Sequence, residues 1–180
     1  MNYNKNISIS LPANISTTAQ SAVFGLVSVL SFFMPFLFGH PQWLVGTVVN
    51  ACLFLAAAYL PKKYYLSLAI FPSLGVLARG LIFGPFTYFL VYFLPFVWIG
   101  NLILIFGFKN LLPKAGYVFS VFGAGAAKFL FLLAFANIYF KLSIVPALFL
   151  QTMGLNQLAT ALAGGLAFYI IYTWKTQHQK

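Results

Sequence analysis

The chain of 180 residues contains no aspartate and no glutamate. Without a carboxylate side chain it cannot form a carboxylate acid–base pair, a Ser-His-Asp triad or a carboxylate metal site. Its ten lysine and arginine side chains also lack any side-chain counterion, because only the C-terminal carboxylate could pair with them. We therefore predict that the chain is not an enzyme and holds no metal.

Cysteine and charge are scarce as well. Cys52 is the single cysteine and stands in an apolar run, so no intrachain disulfide can form, and a small buried hydrophobe is the favoured interpretation. Only 6% of the residues are charged, against roughly 25% in a soluble domain. No glycine-rich phosphate loop with its lysine is present, so ATP is not bound in that way. No cofactor is predicted.

Hydrophobic residues, by contrast, make up 62% of the chain, and aromatic residues 19%. Six segments approach or exceed the length of about 20 residues that a helix needs to cross a bilayer. They are residues 18–38, 42–60, 64–83, 86–108, 116–140 and 144–174. The last is too long for one perpendicular span, and we expect it to begin as an interfacial turn around Pro146 or to tilt. The fold class is therefore all-α, a polytopic membrane bundle of six transmembrane helices (18–174) between tails 1–17 and 175–180.

The positive residues indicate an orientation. Seven fall on one predicted side of the membrane: Lys5, Lys62, Lys63, Lys109, Lys114, Lys175 and Lys180. Only Lys141 and Arg79 are assigned to the other side. Because positive residues are enriched in cytoplasmic loops, this predicts that both termini lie in the cytoplasm. We expect the chain to be located in the inner or plasma membrane of the cell. A net charge of +10 would suggest nucleic acid in a soluble protein. Because these cations stand mostly singly among apolar runs, we predict a lipid partner and no nucleic-acid partner.

In this orientation the turns at His40, Gly84-Pro85 and Lys141 face outward, and they bring together the polar and aromatic side chains that a small-molecule site requires. The predicted substrate-binding residues are Gln42, Trp43, Arg79, Tyr88, Lys128, Asn137 and Gln151. The alternative is an interfacial aromatic belt with ordinary loop residues. A site rich in cations and free of acids would suit an anionic or neutral polar solute.

This hypothesis depends mainly on two cations within the spans, because a functional site is the default hypothesis for an ionisable group at membrane depth. Lys128, in GAGAAKFLF, lies near the middle of its span, where it could bind an anionic ligand or a partner subunit, or occupy a wet crevice. Arg79 lies about one turn before the Gly84-Pro85 turn, where it could bind a ligand or reach lipid headgroups. The span amides Asn50, Asn101, Asn156 and Gln157 are interpreted first as cross-links between helices.

The first span carries a stripe of small residues near its start. Thr18 and Ala22, then Ser21 and Gly25, are spaced four apart, which is typical of helix packing, either inside the bundle or with a partner.

The chain resembles the substrate-binding S component of energy-coupling factor (ECF) transporters. The resemblance rests on its size, its six predicted spans with both termini inside, the small-residue first helix, WIGN at residues 98–101 and NQLATALAGG at residues 156–165. It implies that the chain captures a vitamin-like micronutrient at the outer face. It also implies that the stripe on the first helix docks on a membrane coupling subunit driven by two ATPases. The family's usual stripe has alanine four residues from alanine, whereas Ser21 and Gly25 stand here.

Two other functions remain open. The chain could be a structural or assembly protein whose Lys128 and small-residue faces hold other helices, or it could be a stand-alone facilitator or channel. The sequence does not identify the solute.

Overall fold

A computed structural model describes the backbone of residues 15–83 and 87–178, and the side chains within these ranges except those of residues 82, 83, 87, 88 and 175–178. Most of the predicted N-terminal tail and the Gly84-Pro85 turn fall outside the described residues.

All regular elements of the described residues are helices and none is a strand, which confirms the all-α class. The helices are α1 (Thr17–Leu37), α2 (Gln42–Tyr59), α3 (Tyr65–Phe83), α4 (Thr87–Lys141), α5 (Leu148–Thr152) and α6 (Leu155–His178), with a short 3₁₀ helix at Lys62–Tyr64 between α2 and α3. Five helical segments are long and apolar enough to cross a membrane, and the last of them, Leu148–Trp174, comprises α5 and most of α6. The fold is therefore that expected of a multi-pass membrane protein.

Helix α4 reverses direction at Gly116. Its 55 residues would extend about 80 Å if straight, far more than the roughly 30 Å of a bilayer core. Gly116 has φ 75° and ψ 176°, a left-handed conformation that glycine adopts without a Cβ penalty. Phe93 packs on Tyr139 with ring centroids 5.2 Å apart, and Phe96 stacks on Phe135 at 4.1 Å. These contacts show that a first arm (87–115) and a second arm (117–141) lie antiparallel.

The first arm continues beyond residue 108, where the predicted fourth span ends. The helix continues through Pro113 to the Gly116 reversal, although proline has no N–H to donate to the carbonyl of Lys109. Lys109 lies within the helix, and its Nζ donates to the Tyr65 hydroxyl at 2.6 Å. At the other end of the bundle, the segment around Pro146 forms a turn followed by α5, and α6 continues to His178, inside the predicted C-terminal tail.

Helix α2 is central, and its residues from Val49 to Phe54 are all buried. Its closest neighbour is α6, and glycine makes that approach possible. A Cβ on Gly164 would lie 2.8 Å from the backbone nitrogen of Ala51 and 2.9 Å from the carbonyl oxygen of Thr47. Helix α1 lies at the periphery, against α3 and α2. The bundle therefore surrounds the middle of α2, where Asn50 lies.

Candidate functional site

The four-residue group of Asn50, Asn101, Lys128 and Thr160, called the Lys128 cluster below, occupies the interior of the bundle. The Nζ of Lys128 donates to Asn50 Oδ1 at 2.8 Å and to Asn101 Oδ1 at 2.9 Å. Only 3% of the lysine surface is exposed. At about 1.5 Å per residue, Lys128 lies roughly 18 Å along the second arm from Gly116 and about 20 Å from Lys141. The side chain is therefore too far from either end to reach water by extending along the helix.

Both amide groups are held in this orientation by bonds on their nitrogen side. Asn50 Nδ2 donates to the hydroxyl of Thr160 at 3.1 Å, and Asn101 Nδ2 donates to the carbonyl of Ala69 at 2.9 Å. The Thr160 hydroxyl donates in turn to the carbonyl of Asn156, at 2.8 Å. Because each nitrogen has its own acceptor, both amide oxygens are left to face the lysine.

These bonds connect all the elements that surround the cluster. Asn50 belongs to α2, Ala69 to α3, Asn101 to the first arm of α4, Lys128 to its second arm and Thr160 to α6. The sequence interpretation of Asn50 and Asn101 as cross-links between helices agrees with this geometry. It did not include their role as the acceptors for Lys128, or Thr160 at all. The signal that could have found them was depth, because Asn50, Asn101 and Lys128 all lie near the middle of their segments.

The charge balance of the cluster is incomplete. A lysine ammonium has three N–H donors, and the described residues accept two of them. Both acceptors are neutral amides, and no side chain of the whole sequence carries a negative charge. Burying a cation is expensive unless it is paired. A protonated Lys128 therefore has no side-chain counterion in this sequence.

An aromatic layer separates Lys128 from the end of the bundle where α4, α5 and α6 meet. Phe96 stacks on Phe135, and Phe93 lies 5.4 Å from the ring of Phe149 on α5. The buried residues Leu132, Ala136 and Met153 pack among these rings. A solute that enters from that end would have to displace this layer.

Arg79 is placed at the end of α1. Its Nη1 donates to the carbonyls of Phe36 at 3.1 Å and Leu37 at 2.9 Å, both in the last turn of that helix. A Cβ on Gly39 would lie 2.8 Å from the guanidinium carbon, so glycine there leaves space for the arginine. The carbonyl end of a helix carries partial negative charge. In this structure Arg79 therefore stabilises the α1–α3 junction.

Arg79→Ala is expected to lower the free energy of unfolding by about 1–2 kcal/mol, because two terminal carbonyls lose a charged donor. Thermal unfolding of the purified chain in detergent would measure the loss. Lys114→Ala, at an exposed position of the first arm, is the control and should change stability by less than about 0.5 kcal/mol. Equal stability of the two variants would show that the guanidinium does not cap α1.

The other predicted binding residues do not converge on Lys128 in the described part of the chain. Gln42, Trp43, Asn137 and Gln151 are all exposed, and no hydrogen bond among the described residues joins any two of them. Asn137 donates to the carbonyl of Leu133 in its own helix. The side chain of Tyr88 lies outside the described residues. These five residues remain predictions as ligand contacts.

The small stripe of α1 is exposed along its whole length. Thr18, Ser21, Ala22 and Gly25 all face outward, and a Cβ on Gly25 would meet nothing within 4 Å. Further along α1, an open groove of about 210 Å³ is lined by Ser28, Val29, Phe32, Phe33 and Phe71. The buried hydroxyl of Ser28 in this groove has no hydrogen-bond partner among the described residues.

No protein-family model matches the chain, and no curated protein or solved structure matches it. The described residues contain no group of three potential metal ligands of the histidine, cysteine or carboxylate type. What the chain does must therefore be inferred from the Lys128 cluster and from the exposed face of α1.

Proposed function

We propose that this chain is the solute-binding membrane subunit of an ECF-type importer. In this role it takes up a vitamin-like micronutrient at the outer face of the plasma membrane and passes it to an ATP-driven coupling module. The observation that carries the proposal is the Lys128 cluster. It consists of a buried lysine and two amides at the centre of the bundle, in a chain with no acidic side chain to neutralise the lysine. Polar groups of this kind inside a membrane segment mark solute or ion pathways more often than they mark stability.

The topology that we propose has six crossings and cytoplasmic termini. Five helical segments are apolar enough to cross a membrane. Because α4 consists of two antiparallel arms, it supplies two of the crossings, and this supports a total of six. Lysine is in excess at the end of the bundle that contains Lys62–Tyr64 and Gly116, and this excess supports placing that end on the cytoplasmic side.

The exposed stripe of α1 is the proposed docking surface for the coupling subunit. Small residues let a second helix approach closely, and the open space around Gly25 leaves room for one. The chain has no phosphate-binding loop, which agrees with a division of labour in which partner ATPases supply the energy.

The test has two measurements. Purified chain should be stabilised against heat by at least one member of a panel of vitamins and their precursors, and ATPases should co-purify with it from its native membrane. Gly25→Leu should abolish co-purification and leave solute stabilisation intact, because the added side chain fills the docking surface. Ala163→Leu, an equally exposed small position on α6, is the control and should retain the partners. A panel without any stabilising solute, together with no ATPase, would contradict the proposal.

A second function is favoured by one observation. Both described hydrogen bonds of Lys128 are made within the chain, as a structural or assembly protein would have them. The close packing at Gly125 is similar in kind, because a Cβ there would lie 3.2 Å from the Cβ of Ala161 on α6 of the same bundle. A structural protein would bind no solute at all, whereas a stand-alone facilitator would carry solute into liposomes that contain only this chain.

A further inference from the structure

We propose that the solute carries a carboxylate, which binds to Lys128 when the amide of Asn50 turns over. This inference rests on the proposed function. It names the chemical class of the solute and the side chain that rearranges to admit it.

The first step is the missing counterion. Lys128 is enclosed, donates to two neutral oxygens and has a third N–H beyond those bonds. Amide dipoles solvate a cation but do not neutralise it. Because the sequence has no acidic side chain, a negative group that reaches the cluster has to come from another molecule or from the chain terminus. A carboxylate is a compact anion that forms strong hydrogen bonds to an ammonium.

The second step distinguishes the two amides. If the Asn50 amide turns by half a rotation, its Nδ2 faces the lysine side and can donate to an anion there. Its oxygen then faces the Thr160 hydroxyl, which can reverse from accepting to donating because a hydroxyl does both. Asn50 therefore keeps Thr160 as a partner when it turns, and the hydroxyl gives up its bond to the carbonyl of Asn156.

Asn101 cannot do the same. Its Nδ2 donates to the backbone carbonyl of Ala69, which is only an acceptor. A turned Asn101 would place its oxygen against that carbonyl oxygen and leave both unsatisfied. Asn101 therefore stays on Lys128 as a fixed support, and the carboxylate accepts hydrogen bonds from Lys128 and from the turned Nδ2 of Asn50.

The test uses pairs of probes, each an acid with an uncharged analogue: nicotinate with nicotinamide, biotin with biotin amide, and pantothenate with its alcohol, panthenol. The acid of at least one pair should raise the melting temperature of the purified chain, by about 5–10 °C at a hundred times its dissociation constant. The uncharged partner should give no shift. If an uncharged member stabilises as well as its acid, the carboxylate inference is wrong and the proposed function stands. If no member of any pair gives a shift, both are contradicted.

Three amide-to-acid variants add a second measurement. Asn50→Asp places a permanent carboxylate at Lys128, with the Thr160 hydroxyl donating to it, so it should raise the melting temperature without solute and abolish the acid-induced shift. Asn101→Asp should not stabilise, because its second oxygen would face the carbonyl of Ala69. Asn110→Asp, at an exposed position of the same arm, is the control and should leave both measurements unchanged. Stabilisation by Asn101→Asp but not by Asn50→Asp would overturn the assignment of Asn50 as the turning amide.

Discussion

Gly164→Ala is expected to lower the free energy of unfolding by about 3 kcal/mol. The added Cβ would lie 2.8 Å from the Ala51 backbone nitrogen, 2.8 Å from Asn50 Cβ and 2.9 Å from the Thr47 carbonyl oxygen. Two of these atoms are backbone and cannot move aside as a side chain can, so α6 has to shift away from α2. Overpacking of a close interface typically costs about 1–3 kcal/mol, and contact with backbone places this site at the upper end.

Thermal or denaturant unfolding in detergent would measure this loss, and Gly25→Ala is the matched control. Its Cβ would meet nothing within 4 Å, and alanine has the higher helix propensity by roughly 1 kcal/mol, so this variant should be as stable as the parent or more so. Because Gly164 contacts Asn50, its substitution should also weaken binding of any solute that stabilises the parent chain. A Gly164→Ala variant as stable as Gly25→Ala would show that α2 and α6 are not in close contact.

The contrast between these glycines shows which parts of the fold the sequence could predict. Periodic apolar segments separated by prolines, glycines and lysines were sufficient to place the helices, since bilayer thickness limits their length. The same pattern could not show that Gly164 is at a crossing and Gly25 on an open face, because both stand among small residues. Helix ends could not be placed in the same way: Lys109 and Pro113 indicated a connection, but the segment is helical up to the reversal at Gly116.

The depth of Lys128 could be predicted from the sequence, but its partners could not. The depth of Lys128 follows from counting residues along an apolar segment, and so does the expectation that it needs a partner. Which amides supply that partner depends on how helices rotate about their axes, and this is decided by packing such as that of Gly164 on α2. For Arg79 the partners are backbone carbonyls of Phe36 and Leu37, which no side-chain pattern in the sequence can indicate.

Asn101→Leu is expected to destabilise the bundle by about 3 kcal/mol, and Lys128→Met is expected to restore most of that loss when the two are combined. The leucine removes one of the two acceptors of a fully buried amine, and leaving such a charge without its partner typically costs about 3–5 kcal/mol. Methionine has a similar length and no charge, so the double variant has neither a cation to solvate nor an acceptor lost from it. Unfolding of the four proteins in one detergent gives the coupling energy of the pair.

A coupling energy of at least about 1.5 kcal/mol is expected, because residues in one hydrogen-bond network do not act additively. The matched pair for comparison is Trp98 and Ser73, whose neutral bond of 2.7 Å joins the first arm to α3. Neutral bonds between membrane helices contribute about 0.6 kcal/mol on average, so Trp98→Phe with Ser73→Ala should give a coupling several times smaller. Equal coupling in the two cycles would mean that Lys128 is held as an uncharged amine. The cluster would then need no counterion, and the reason to expect an anionic solute would be lost.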